Sequence, residues 1–130
     1  MPRILLVEDD PDVRPLLEHI LQTEAGYSVT SAESLTIGLR LIAEQPFDLL
    51  ITDVNLPDGS GLRLADKAKE LGVPAVVLTG YGLSLKPGTL SAYDYLLKPV
   101  RPPELLKAIR ERLSRDEGRG KLVPFPGQGQ

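Results

Sequence analysis

Five residues carry groups suited to handling a phosphoryl group or a hard metal ion: Glu8, Asp9, Asp53, Thr79 and Lys98. Each lies at the end of a short apolar run. "ILLV" leads into Glu8 and Asp9, "LLIT" into Asp53, "AVVL" into Thr79, and "YLL" into Lys98. Two like charges ~4 Å apart cost about 1 kcal/mol in water and about 4 kcal/mol at an effective dielectric near 20. A carboxylate cluster therefore persists only where a cation repays the repulsion. Oxygen-only ligands on a half-open rim suit Mg²⁺, which takes one or two carboxylates and keeps several waters. Mg²⁺, an ammonium and a hydroxyl together make a receptor for a phosphoryl group. One carboxylate is then left to act as nucleophile, as in aspartyl-phosphate chemistry.

Taken singly, each of these residues has an ordinary role. An Asp after a strand commonly forms a turn or caps a helix. Lys98–Pro99 alone is a solvated lysine ahead of a helix, and Thr79–Gly80 alone is a loop. The weight lies in the conjunction, and that depends on the elements that hold the five residues. Apolar runs alternate with helical patterns along the chain. "DPDVRPLLEHILQTEAG" predicts a first helix capped by Asp10 and stopped at Gly26, with Val13, Leu16, Leu17, Ile20 and Leu21 on one face. A second strand is expected at Tyr27–Ala32, a helix at Ser34–Glu44, and a third strand at Phe47–Thr52 running into Asp53. A helix at Leu62–Leu71, strands at Ala75–Thr79 and Tyr93–Leu97, and a last helix at Pro102–Ser114 follow. The third strand is almost uniformly apolar, as expected of a strand covered on both faces by helices. The alternation predicts an α/β fold: a five-stranded parallel sheet with helices on both faces. In such sheets functional groups collect at the carboxyl ends of the strands.

The bulk properties narrow the classes. The chain has 130 residues, 42% hydrophobic and 25% charged, about one soluble domain. Its net charge of −3 argues against nucleic acid as a partner of the whole chain. The absence of cysteine excludes disulfides, thiolate metal sites and cysteine nucleophiles. The one histidine, His19, argues against a histidine-built metal cluster or triad. "MPRILLVEDD" is neither a signal peptide nor a membrane span, so a cytoplasmic protein is expected.

The motifs "ILLVEDDPDVR", "DLLITDVNLPDGSGL", "VVLTG" and "AYDYLLKPV" closely resemble the receiver domain of two-component response regulators, the CheY-like family, over about residues 3 to 114. The resemblance implies a doubly wound sheet with the strand order 2-1-3-4-5, and that Asp53 is the phosphoacceptor. It implies that Asp9 and Asp53 ligate Mg²⁺ directly, Glu8 through water, and Asn55 through its backbone carbonyl, with Mn²⁺ as a substitute. Lys98 would pair with Asp53 and the phosphoryl oxygens, and Thr79 would be the switch hydroxyl. Tyr95 would be the switch aromatic, and the Lys98–Pro99 bond would be cis. Asn55 and Tyr81 would flank the hydrolytic water. The implied donor is a sensor histidine kinase or a histidine phosphotransfer protein, and the implied output is binding of a downstream effector protein. His19 is read as a solvated residue, not a phosphodonor.

Two features depart from that pattern. The segment "GYGLSLKPGTLSAYD" is short and carries Lys86–Pro87–Gly88 where a fourth helix is usual. Pro costs about 3 kcal/mol and Gly about 1 kcal/mol inside a helix, so that helix is expected to be missing or cut to one turn around Thr89–Ala92. Residues 1–115 are read as the domain and 116–130 as a flexible tail, with a docking peptide at Leu122, Val123 and Phe125 as the sharper alternative. That tail is too short for a DNA-binding domain, so a receiver standing alone or cut from a longer chain is expected. Two other functions compete. A phosphorylation-independent scaffold would ordinarily have lost an acid or the lysine, and none is lost. A phosphatase of the haloacid dehalogenase type would want Asp-x-Asp after the first strand and a cap domain.

Overall fold

The computed structural model describes residues 1–80 and 92–122, with side chains to Ser114. Along the chain run β1 (Arg3–Val7), α1 (Val13–His19), β2 (Ser28–Ala32), α2 (Leu35–Glu44), β3 (Leu49–Asp53), β4 (Asn55–Leu56), β5 (Gly59–Ser60), α3 (Gly61–Glu70), β6 (Ala75–Thr79), β7 (Asp94–Leu97) and α4 (Pro102–Leu122). Five strands form one parallel sheet in the order β2-β1-β3-β6-β7. This is the predicted 2-1-3-4-5 order of the long strands. β4 and β5 form a separate antiparallel hairpin directly after β3.

Side-chain alternation along the strands divides the core into two layers. Leu5, Val7 and Leu50 pack with Leu35, Ile42, Leu64 and Ala68 of α2 and α3. Ile4, Leu6, Leu49 and Ile51 pack with Leu17, Leu21, Leu105 and Ile109, the last two from α4. All five residues of β3 are buried, because helices cover both faces of the central strand. Each fully buried leucine or isoleucine contributes about 1.5–3 kcal/mol, so this strand is a firm support for Asp53 at its end.

The first helix begins as its sequence predicts. The Asp10 carboxylate accepts from the backbone N–H groups of Asp12 (2.8 Å) and Val13 (3.3 Å). α1 then widens into a π-helical turn over Ile20–Glu24, and the chain turns at Gly26, with φ of 70°. Gly72, with φ of 77°, follows α3 where its stop was expected. The last helix corrects the reading: it runs to Leu122 instead of ending at Ser114. Gly118 and Gly120 each cost about 1 kcal/mol in a helix, but the other residues from Arg115 to Leu122 sustain one, and the first proline beyond is Pro124. The expected loss of the helix before β7 concerns residues 81–91, which lie outside the described residues, as do Tyr81 and the end of the tail. Among the described residues no helix is long and apolar enough to cross a membrane.

Candidate phosphoryl-accepting site

Strand register assembles the site. Val7 pairs with Thr52, so the residues that follow them, Glu8 and Asp53, emerge side by side. Asp53 pairs with Leu78, which places Thr79 one step beyond it on β6. Thr79 pairs with Leu97, and the Lys98 N–H donates to the Thr79 carbonyl at 2.7 Å. Residues far apart in sequence thus reach one rim because four neighbouring strands, β1, β3, β6 and β7, end at the same height.

Lys98 stands between two acids. Its Nζ lies 2.7 Å from Asp53 Oδ1 and 3.0 Å from Glu8 Oε1. The second Glu8 oxygen accepts from the Asp10 N–H at 3.1 Å. Glu8 is fully buried and Asp53 is 4% exposed, whereas Asp9 is exposed. One carboxylate oxygen from each of Glu8, Asp9 and Asp53 lies within 4.8 Å of the others. Lys98 meets Asp53 Oδ1 as an ion pair, but no donor satisfies that oxygen with hydrogen-bond geometry. The buried hydroxyl of Thr79 also has no hydrogen-bond partner among the described residues. Buried polar atoms are nearly always paired, so two such atoms on one rim mark a place prepared for further ligands. The donor set is oxygen only, half-open and acidic, and it fits a hard divalent cation such as Mg²⁺.

The charges are unequal. Burial pushes the Asp53 carboxyl up to about 8, helped by the adjacent Glu8 carboxylate and opposed by Lys98. Burial also raises Glu8, but hydrogen bonds with the Asp53 carboxyl, the Asp10 N–H and Lys98 outweigh it and hold Glu8 below its ordinary value. Burial lowers Lys98, yet Asp53 and Glu8 together raise it above the usual ammonium range. Without a second cation, therefore, Asp53 is the more readily protonated of the two inner carboxyls.

The remaining predicted residues are placed as follows. Asn55 opens the hairpin two residues after Asp53 and pairs with Ser60. Tyr95 lies on the edge strand β7, 46% exposed and outside the acid cluster. The Lys98–Pro99 bond is cis. His19 is exposed, its Nδ1 3.4 Å from the Thr23 hydroxyl.

Three contributors escaped the sequence reading. Gly61 begins α3 so close to β3 that a Cβ there would stand 1.7 Å from the Asp53 carbonyl oxygen. The "DGSG" string signalled a turn, but not this backbone approach. Arg14 donates to the Glu8 carbonyl at 2.9 Å, a link no local pattern announces. Asp58, at the hairpin tip, accepts three hydrogen bonds from α2 and is held down at about 2, chiefly by the Thr36 hydroxyl and N–H.

Comparison with known proteins agrees with this arrangement. The family model described as "Response regulator receiver domain" matches residues 4–110. The response regulator protein PilR of Pseudomonas aeruginosa is 39% identical over 106 residues, covering 75% of this chain and 23% of PilR. An uncharacterized 14.6 kDa protein of Leptolyngbya boryana is 36% identical over 118 residues, covering 83% of this chain and 87% of that protein. The chain thus spans about a quarter of one relative and most of the other. Among solved structures, a CheY-like receiver domain protein from Methanospirillum hungatei superposes with a TM-score of 0.82 at 37% identity, covering 92% of this chain and 98% of that one. TrrA from Thermotoga maritima, solved in complex with Mg²⁺ and BeF, gives a TM-score of 0.77 at 32% identity, covering 87% of this chain and 100% of that one. With sheet order, rim acids and lysine all in agreement with a match over most of its length, the chain belongs to the response regulator receiver domain family.

Proposed function

We propose that this receiver takes a phosphoryl group onto Asp53 from a phosphohistidine of a sensor histidine kinase or histidine phosphotransfer protein, and signals to a downstream effector protein through the resulting change of shape. One observation carries the reading: Lys98 holds Asp53 and Glu8 together at the ends of adjacent strands, beside a buried Thr79 hydroxyl without a partner. Glu8, Asp9, Asp53 and the Asn55 carbonyl are the groups that would hold Mg²⁺, or Mn²⁺ in its place. The bound ion supplies positive charge to the transferring phosphoryl oxygens.

The chain's own groups do the rest. An Asp53 carboxylate oxygen forms the new bond to phosphorus as the phosphorus–nitrogen bond of the donor breaks, and the imidazole leaves with that electron pair. Lys98 neutralises charge on the phosphoryl oxygens and keeps Asp53 in line. β3, buried on both faces, fixes the nucleophile so that little reorganisation is needed. The product carries about −2 charge and three acceptor oxygens, and the Thr79 hydroxyl, buried at the end of β6 without a partner among the described residues, donates to one of them. Its movement biases the β7 edge, where Tyr95 stands exposed. Water later cleaves the acyl phosphate, with Asn55 beside its path.

Intact mass after incubation with a small-molecule phosphodonor and Mg²⁺ tests the proposal, with Asp53→Asn alongside. Gain of one phosphoryl group by the wild type alone is expected. No gain, or equal gain by the variant, overturns the assignment of Asp53.

A further inference from the structure

A hairpin of two-residue strands has little stability of its own, yet β4–β5 begins at Asn55, two residues after Asp53. What fixes it is therefore part of the site. We propose that Asp58 is a positioning residue: by clamping the hairpin tip to the first turn of α2, it sets the loop that presents Asn55 to the cation. This rests on the reading of the rim as a Mg²⁺-dependent phosphoryl acceptor.

The clamp is bidentate. Asp58 Oδ1 accepts from the Leu35 N–H at 2.7 Å, and Oδ2 accepts from the Thr36 N–H at 2.8 Å and the Thr36 hydroxyl at 2.6 Å. Charge-assisted bonds of this kind are the stronger ones, and the positive end of a helix adds to them. The neighbouring Gly59, with φ of 153°, sits directly on Leu35, where a Cβ would come within 2.6 Å of Leu35 Cδ2. Leu56 is buried in the same core layer as Leu35. At the base, the Gly61 N–H closes the loop on the Val54 carbonyl at 2.7 Å. Hairpin and helix end therefore move together.

The same helix end supplies the internal control. Ser34 Oγ accepts from the Ile37 N–H at 3.2 Å, so it also caps α2. Ser34 joins residues of one helix, whereas Asp58 joins the helix to the loop after Asp53. Loss of either weakens the helix, and only loss of Asp58 releases the hairpin.

Calorimetric titration of the metal-free protein with Mg²⁺ distinguishes the two roles, with unfolding measured in parallel. Asp58→Ala is expected to weaken Mg²⁺ binding by ~3–10-fold, less than the roughly 10–100-fold typical when the direct partner of a metal ligand is lost. Asp58→Asn, which keeps one acceptor oxygen, should fall between. Ser34→Ala should lower Tm and leave Mg²⁺ affinity unchanged. Phosphoryl uptake by Asp58→Ala should be slowed at low Mg²⁺ and recover at saturating Mg²⁺. Equal Mg²⁺ affinity in the wild type, Asp58→Ala and Ser34→Ala would overturn the proposal and leave Asp58 a helix cap alone. Should Asp58→Ala not fold, Thr36→Val decides: it removes only the hydroxyl bond, and an unchanged Mg²⁺ affinity there is the overturning result. Absence of Mg²⁺ binding by the wild type itself would overturn the underlying reading as well, and so is told apart from failure of the clamp alone.

Discussion

In the proposed reaction Asp53 attacks phosphorus as an anion, yet it is buried beside a second acid with one ammonium for both. Replacing it with asparagine removes the charge conflict and keeps the shape. Asp53→Asn is therefore expected to be inactive and more stable than the wild type in the absence of divalent metal, by about 1–3 kcal/mol, the usual scale for an imperfectly satisfied buried polar group. The gain should depend on pH. A carboxyl raised in the fold to about 8 stabilises it fully below its unfolded value of 3.8, and that contribution is lost as pH rises through 8. The Tm difference between the variant and the wild type, measured with chelator present, should widen from pH 4 to pH 8. Glu8, held below 4.5, acts in the opposite sense only in acid, where its contribution is lost as pH falls. A Tm difference that is flat over this range would show that Asp53 is not the group holding the proton.

At the scale of elements, the site depends on how closely backbones approach. α3 begins against the end of β3, and Gly61 makes that possible. The buried Thr52 hydroxyl, which donates to the Asp53 carbonyl at 3.0 Å, occupies the remaining space. Gly61→Ala is expected to destabilise by about 3 kcal/mol or more, because the new methyl meets backbone that cannot yield, and to reduce phosphoryl uptake by displacing Asp53. Gly38 of α2 offers a contrast. A Cβ there would meet the Leu64 and Val7 side-chain tips at 2.8 and 3.1 Å, which can shift. Gly38→Ala should therefore cost less, with part of the loss offset by the better helix propensity of alanine. Chemical denaturation of the two variants checks the ranking, and a reversal would mean that α3 can slide away from β3.

For the whole molecule, the rim joins strands from both halves of the fold. β1 supplies Glu8 and Asp9, β3 supplies Asp53, and the edge beyond β7 supplies Lys98. A cation bound there stabilises the folded chain by mass action, about 2.7 kcal/mol at a concentration one hundred times its Kd. Thermal unfolding should therefore shift upward by several degrees between chelator and saturating Mg²⁺. The shift should shrink in Asp53→Asn, which has lost one charged ligand. No shift in the wild type would mean that the three carboxylates do not act as one metal site.

The order of the strands came with the motifs' resemblance to the receiver family. The sequence by itself determined the alternation of strands and helices, the two covered faces and the identities of the rim residues. Those follow from patterns of period 2 and 3.6 and from the type of residue that ends each apolar run. It also placed the cap at Asp10, which is local chemistry. Tertiary structure decided what depends on distance between segments: Lys98 bridging Asp53 and Glu8, the burial that raises the Asp53 carboxyl, Gly61 against the Asp53 carbonyl, and Asp58 on α2. Such features are set by register and by the approach of chains tens of residues apart, and no local pattern encodes how near two backbones come.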